Sequence, residues 1–380
     1  MDYLLRAKEI EAELDSIRQT LHRHPEMGNK EVFTSAFIED YLKGLGIEVH
    51  RMLETAVVGI LHGAKPGRKA ALRADMDALP VTEETGCSFS SEIPGVMHAC
   101  GHDIHVTSAL GAAKLLSESR DSLCGDVVFL FQPDEEGNGG AERMIAEGAL
   151  KGVTAAFGGH VAPDLPVGTV GIRYGKFYAA SDEFTAQVHG VSCHGATPEK
   201  GVSALLCASE MVQNLVKLKP SSGDRTVVSV GSLHSGTAGN IIPALATFSG
   251  ICRTLGPANR KEIKERVLAI AEDTAKKYGA AVDFTFTSSY DGVVNRDAET
   301  RLVEETARTL FGDDHVSIID EPLMTTEDFG YFIDAAGGGC FAHIGAGCSY
   351  PLHSSHFLPD IKAAVCASAL YAAVIENYLK

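Results

Sequence analysis

Met97-His98-Ala99-Cys100-Gly101-His102-Asp103-Ile104-His105 crowds a thiol, three imidazoles and a carboxylate into one short segment. Thiolate sulfur and imidazole nitrogen are good ligands for zinc-like cations. Gly101 permits a tight bend, so side chains one and two residues apart can converge. A free cysteine at a helix entrance beside solvated histidines is the plainer alternative. A second group is Phe131-Gln132-Pro133-Asp134-Glu135-Glu136-Gly137, three carboxylates that repel one another unless cations compensate. Adjacent Glu135 and Glu136 can point differently, one at a metal and the other at a water; a solvated acidic turn is the alternative. Three further polar groups each follow an apolar segment: Asp75-Met76-Asp77, Gly158-Gly159-His160 and Leu352-His353-Ser354-Ser355-His356-Phe357. Together they favour a centre of two divalent cations. The Cys100 thiolate and Glu136 carboxylate leave such a pair a net positive charge, which lowers the pKa of bound water and polarises a carbonyl.

The elements that must position these groups alternate in the first half. Helical spacing runs over Leu4–Leu21 and Lys30–Lys43, and Ile104–Leu116 is Ala-rich and helical. Ala70–Asp75 and Asp126–Phe131 read as strands, the second a continuous apolar run suited to a strand covered on both faces. The pattern predicts an α/β fold, a central sheet flanked by helices, with the acidic loop at a strand's carboxyl end, where sites of such sheets form. The middle differs. Strands over Asp182–Val191, Arg225–Leu233, Ala244–Leu255 and Ala280–Thr287, with helices over Gly201–Leu218 and Pro257–Tyr278, follow the β-α-β-β-α-β order of a ferredoxin-like unit. This smaller α+β unit, residues 179–291, is expected to interrupt a catalytic domain of residues 1–178 and 292–380.

Composition narrows the function. The 380 residues suffice for two domains, and 45% hydrophobic with 22% charged residues excludes a disordered chain. A net charge of −17 argues against a broad phosphate-binding surface, hence against nucleic acid. No apolar run reaches the ~20 residues of a membrane span. The first residues carry charges where a secretory leader keeps its apolar core, so no signal peptide is expected. Nine cysteines without a Cys-x-x-Cys argue against a disulfide framework, and a cytoplasmic location is the expectation.

The segments RADMDALP (73–80), MHACGHDIH (97–105), QPDEEG (132–137), GGH (158–160), HGATP (194–198), MTTEDF (324–329) and LHSSHF (352–357) resemble the M20 metallopeptidases. They look most like the amidohydrolase subgroup of N-acyl-amino-acid, hippurate and auxin-conjugate hydrolases, over nearly the whole chain and in the same order. The resemblance implies a catalytic domain interrupted by a lid or dimerisation domain, and a homodimer formed through it. It makes Cys100 a bridging ligand, places His102 and His160 at one metal and Glu136 and His353 at the other, and makes Glu135 the general base. Asp77 would orient a ligand imidazole. His194, on the lid, would reach the active site of the other subunit and stabilise the oxyanion, and Asn240 and Arg253 would hold the polar end of the substrate. His356 is then peripheral, and Leu-Met-Thr-Thr before Glu327-Asp328-Phe329 departs from the family's usual Gly-Ser.

The implied reaction is metal-dependent hydrolysis of the amide of a small N-acyl amino acid, by two divalent ions. Zinc or manganese leads, and nickel or cobalt also tolerates these ligands. Dipeptidase or carboxypeptidase activity on small peptides, or deacetylation of N-acetyl-diaminopimelate, are the alternatives. A silent scaffold would lack a ligand or the base, and none is missing. A nucleobase deaminase needs Pro-Cys-x-x-Cys, a zincin His-Glu-x-x-His and a serine hydrolase Gly-x-Ser-x-Gly, and the chain has none of these.

Overall fold

The computed structural model describes residues 1–380. The chain forms two compact units, one of Met1–Gly175, Val294–Glu321 and Asp328–Lys380, the other of Lys176–Val293 and Pro322–Glu327. The short Pro322–Glu327 piece clusters with the second unit, although the sequence places it beyond the insertion.

The first unit is built on an eight-stranded mixed sheet. Its order is Glu48–Met52, Ala56–His62, Cys124–Gln132, Lys65–Asp75, Ala155–Ala162, Gly339–Gly345, Val170–Ile172, Val316–Ile318. The middle strands Cys124–Gln132, Lys65–Asp75, Ala155–Ala162 and Gly339–Gly345 are mutually parallel. Every residue of Ala155–Ala162 is buried, as are all from Val127 to Gln132, which explains their lack of polar alternation. Helices His102–Glu118 and Lys362–Leu379 supply much of the cover. Nearly all their residues are buried, and a Cβ on Gly111 would sit 2.2 Å from Ser368 Oγ, so glycine lets the two helices approach.

Helical spacing over Leu4–Leu21 resolves into two helices, Tyr3–Glu9 and Glu11–Arg23, with Ile10 at φ −99° between them. The apolar stripe is unaffected, since Ala7, Ile10, Leu14, Ile17 and Leu21 are all buried. The next helix starts at Val32, later than the pattern suggests, because Glu31 turns inward and its carboxylate accepts from Thr55 Oγ1 at 2.7 Å.

The second unit is a four-stranded antiparallel sheet ordered Thr226–Ser235, Leu245–Thr254, Ala180–His189, Ala281–Ser288, with helices Ala204–Leu215 and Pro257–Tyr278. That is the ferredoxin-like order. Strand Ala180–His189 alternates buried and exposed residues over most of its length, and Phe184, Ala186 and Val188 share a core with Met211, Phe248 and Val267. The long helix begins on Pro257 and ends on Gly279 at φ +69°.

Buried Asp182 ties that helix to the sheet. It accepts from Arg260 Nε at 2.8 Å, Lys264 Nζ at 3.0 Å and Ser288 Oγ at 2.9 Å. Burial alone would raise its carboxyl; the bonds from Arg260 and Lys264 outweigh it and hold the group below its usual range. A depressed folded-state pKa stabilises the native protein above the unfolded value and is lost as pH falls through the folded one. Asp182→Asn should therefore cost about 2–4 kcal/mol at neutral pH, with the gap narrowing below about pH 4. Urea unfolding across that range measures it, and an equal gap at both ends would refute the assignment.

Candidate metal centre and active site

The parallel strands deliver their polar groups on one side. Lys65–Asp75 ends on Asp75 and runs on to Asp77, and Cys124–Gln132 leads into Asp134-Glu135-Glu136. His160 lies near the end of Ala155–Ala162, and the loop after Gly339–Gly345 carries His353. Cys100 and His102 flank Gly101 at the start of the His102–Glu118 helix, where φ is +89° and a Cβ would come within 2.5 Å of a Val161 methyl. Of the four non-glycine residues with positive φ, two belong to these site loops, Asp134 at φ +59° and His353 at φ +66°. Both are held. Glu31 accepts from Asp134 N at 3.0 Å, Asn29 Nδ2 donates to the Asp134 carboxylate at 2.6 Å, and His353 N donates to Ala99 O at 2.8 Å.

The ligand-capable atoms of Cys100, His102 and His160 lie within 4.8 Å of one another, as do those of Cys100, Glu136 and His353 and those of His102, Glu135 and Glu136. Cys100 thus joins two triads, and the structure brings together all the residues expected there. His160 Nδ1 donates to Val161 O at 2.8 Å, leaving Nε2, 3.3 Å from Cys100 Sγ, to present its lone pair. His353 Nε2 lies 3.3 Å from Glu136 Oε1. Both ring nitrogens of His102, Glu136 Oε1 and Asp77 Oδ1 are buried without hydrogen bonds, although His102 Nδ1 is 3.3 Å from Asp77 Oδ1. Each such orphan costs ~1–3 kcal/mol, and ion coordination is the partner this donor set fits. Asp77 also accepts from Glu136 N at 2.9 Å, so it braces the acidic loop as well as standing beside His102.

The electrostatics agree. Burial pushes the Cys100 thiol well up, and the charges of Glu136 and Glu135 push the same way. Burial would lower His102, but Asp75, Asp77 and Glu136 override it and raise the ring to about 10. The pocket therefore calls for positive charge, which a divalent cation would bring while allowing the thiolate.

In the second unit, the Cys193–His194 strand pairs with Ile241–Ile242, and Gly195 N donates to Asn240 O at 2.8 Å, so His194 and Asn240 share one exposed corner. Arg253 lies on Leu245–Thr254 opposite Ser181 and Val227, with Nη1 buried and without a hydrogen bond. His356 stacks on Tyr350 at 5.0 Å.

Sequence reasoning missed the layer beneath. His105 donates Nδ1–H to Asp75 at 2.6 Å and accepts from Val161 N at 3.0 Å; Arg73 reaches Asp75, Gln132 and Asp328. His98 is also wholly buried with neither nitrogen hydrogen-bonded, and burial pushes it down to about 4. A signal existed. Arg73, Asp75 and Asp77 alternate at strand period, and His102 and His105 are three apart on a helix, so each set shares a face.

The profile of peptidase family M20/M25/M40 matches residues 71–377. An N-acetyl-L-cysteine deacetylase from Bacillus subtilis strain 168 is 35% identical over 94% of this chain and 86% of its own length. Thermostable carboxypeptidase 1 from Saccharolobus solfataricus is 37% identical over 97% of both chains. Among solved structures, the Bacillus subtilis YXEP protein, described as a dinuclear metal binding peptidase, superposes with a TM-score of 0.89 at 33% identity, covering 98% of this chain and 99% of its own. With the ligand-rich cluster at its strand ends, the chain belongs to peptidase family M20/M25/M40 and is a metal-dependent hydrolase of amide bonds.

Proposed function

We propose that the protein hydrolyses N-acyl amino acids to a carboxylic acid and a free amino acid. Cys100, His102 and His160 would hold one divalent cation and Cys100, Glu136 and His353 a second, with zinc or manganese favoured by the mixed sulfur, nitrogen and oxygen donors. When bound, such ions polarise the amide carbonyl and acidify water. Glu135 takes a proton from the water that attacks the carbonyl carbon and passes it to the nitrogen as the C–N bond breaks. Asp77 orients the His102 ring. His194 donates to the carbonyl oxygen as negative charge gathers there, Asn240 holds the polar end, and Arg253 pairs with the free carboxylate. Residues 179–291 would act as a lid and form a homodimer contact.

The observation that carries this reading is the placement of Glu135 within 4.8 Å of His102 and Glu136, beside two triads that share Cys100. The similarity to a deacetylase of an N-acetyl amino acid supports the substrate class. The similarity to a carboxypeptidase supports a second reading, short peptides with a free C-terminus.

A panel of N-acetyl, N-benzoyl and longer N-acyl amino acids, their methyl esters and dipeptides separates the two. The acyl amino acids should turn over, dialysis against a chelator should abolish the reaction, and divalent ions should restore it. Blocking the carboxylate as an ester, or Arg253→Ala, should lower kcat/KM roughly 10–100-fold, the loss of about 1.5–3 kcal/mol of charged hydrogen bonding. Full activity in chelator, or dipeptides outrunning every acyl amino acid, would reject the proposal.

A further inference from the structure

Outside the catalytic cluster, a second set of ligand-capable atoms comes together in the first unit. His22 near the end of helix Glu11–Arg23, Glu83 and Cys87 place one atom each within 4.8 Å of the others. His22 Nε2 lies 3.3 Å from Glu83 Oε1, and Cys87 Sγ lies 3.7 Å from that same oxygen. Bonds of ~2.0–2.3 Å to a tetrahedral ion put its donors roughly 3.3–3.8 Å apart, and both separations at Glu83 Oε1 fall in that range. The supporting groups are in place too. His22 Nδ1 donates to Asp103 Oδ2 at 2.8 Å, the carboxylate–histidine arrangement that turns the other ring nitrogen toward a cation. Glu83 is steered by Ser91 N, which donates to its Oε2 at 2.6 Å, and by the hydroxyl of Thr85 on Oε1. Asp103 is itself paired with Arg18 Nε at 2.9 Å.

We propose that His22, Glu83 and Cys87 form a further cation site, separate from the catalytic cluster, that takes a soft divalent ion of the zinc type. The donors are one imidazole, one carboxylate and one thiolate, a set that selects zinc-like ions over magnesium or calcium. Charge balances across the exchange. Arg18 and Asp103 cancel, and the incoming dication replaces the proton shared between His22 and Glu83 and the thiol proton of Cys87. Binding there would fasten the end of the Glu11–Arg23 helix to the loop carrying Glu83 and Cys87. Through Asp103, the clamp would also touch the first turn of the helix that begins at His102.

Cys87 makes only weak sulfur contacts, to Glu83 and at 3.5 Å to Ser90 Oγ, so Cys87→Ala keeps the fold. After equilibration with zinc and removal of free ion, the wild type should hold one equivalent per chain more than Cys87→Ala, whose hydrolytic activity stays intact. Zinc should also slow iodoacetamide labelling of Cys87 by about tenfold or more. The same protection should persist in Cys100→Ala, which cripples the catalytic cluster, and vanish in Glu83→Gln. Equal zinc content in wild type and Cys87→Ala, or labelling of Cys87 that ignores zinc, would overturn the site without touching the catalytic reading.

Discussion

Glu135→Gln should lower kcat by about 10³- to 10⁴-fold, the loss of general acid–base catalysis at a preformed site, while metal content stays at the wild-type level. The amide is isosteric with the carboxylate, so the shape of the loop survives. What goes is a group able to take a proton from water and return it to the amine. Glu136→Gln provides the contrast. Glu136 stands 3.3 Å from His353 and shares a triad with Cys100, so its loss should lower both metal content and turnover. Two adjacent carboxylates would then fail in different ways, one chemically and one by emptying the site. Parallel metal analysis and steady-state kinetics decide it. A Glu135→Gln enzyme within tenfold of wild type, or one stripped of metal, would remove the base role.

Much of the architecture was legible because burial writes itself into periodicity. Val127–Phe131 has no polar alternation because both its faces are covered, whereas Ala180–His189 alternates over one open face. These two patterns separated the central sheet from the inserted unit. Part of the site was legible for a different reason: Cys100 with His102 and Glu135 with Glu136 are chemically unusual and cluster locally, whereas His160 and His353, which complete the two triads at Cys100, are assigned as ligands only through the resemblance to the family. What the sequence hides is contact across long separations. Asp328 sits within a segment that resembles the family's but is given no role, yet it accepts from Arg73 at 2.9 Å, Gln132 at 2.7 Å and the backbone N–H groups of Gly140 and Ala141. Glu31, far upstream, holds the turn at Asp134 by the same kind of long-range hydrogen bond. Neither has a local signature, since a charged residue reads as solvated until its partners are known. The pairing of His22 with Glu83 and Cys87 is hidden for that reason as well, since 61 residues separate His22 from Glu83.

Arg73→Met should strongly destabilise the first unit. Arg73 is 2% exposed and forks to three partners, with Nε donating to Gln132 at 2.8 Å, Nη1 to Asp75 at 2.7 Å and Nη2 to Asp328 at 2.9 Å. Burial pushes the Asp328 carboxyl up, and Arg73 is the main charge that opposes it. Burial also works against an ionised Asp75, which His102, His105 and Arg73 together keep well below the usual range. Removing the guanidinium leaves two buried carboxylates short of compensation, a loss of about 3–5 kcal/mol. The damage should reach the metal centre, because Asp75 fixes His105 and stands 3.8 Å from His102. Loss of such an outer partner typically weakens metal affinity by about 10–100-fold. Arg73→Lys should recover little, since an ammonium is a point charge and cannot serve three acceptors in one plane. Urea unfolding and metal titration of both variants test the argument. If Arg73→Met unfolds at the wild-type urea concentration, the network is incidental to the fold. If it is destabilised but binds metal normally, the coupling from Arg73 through Asp75 to the ligand histidine is wrong.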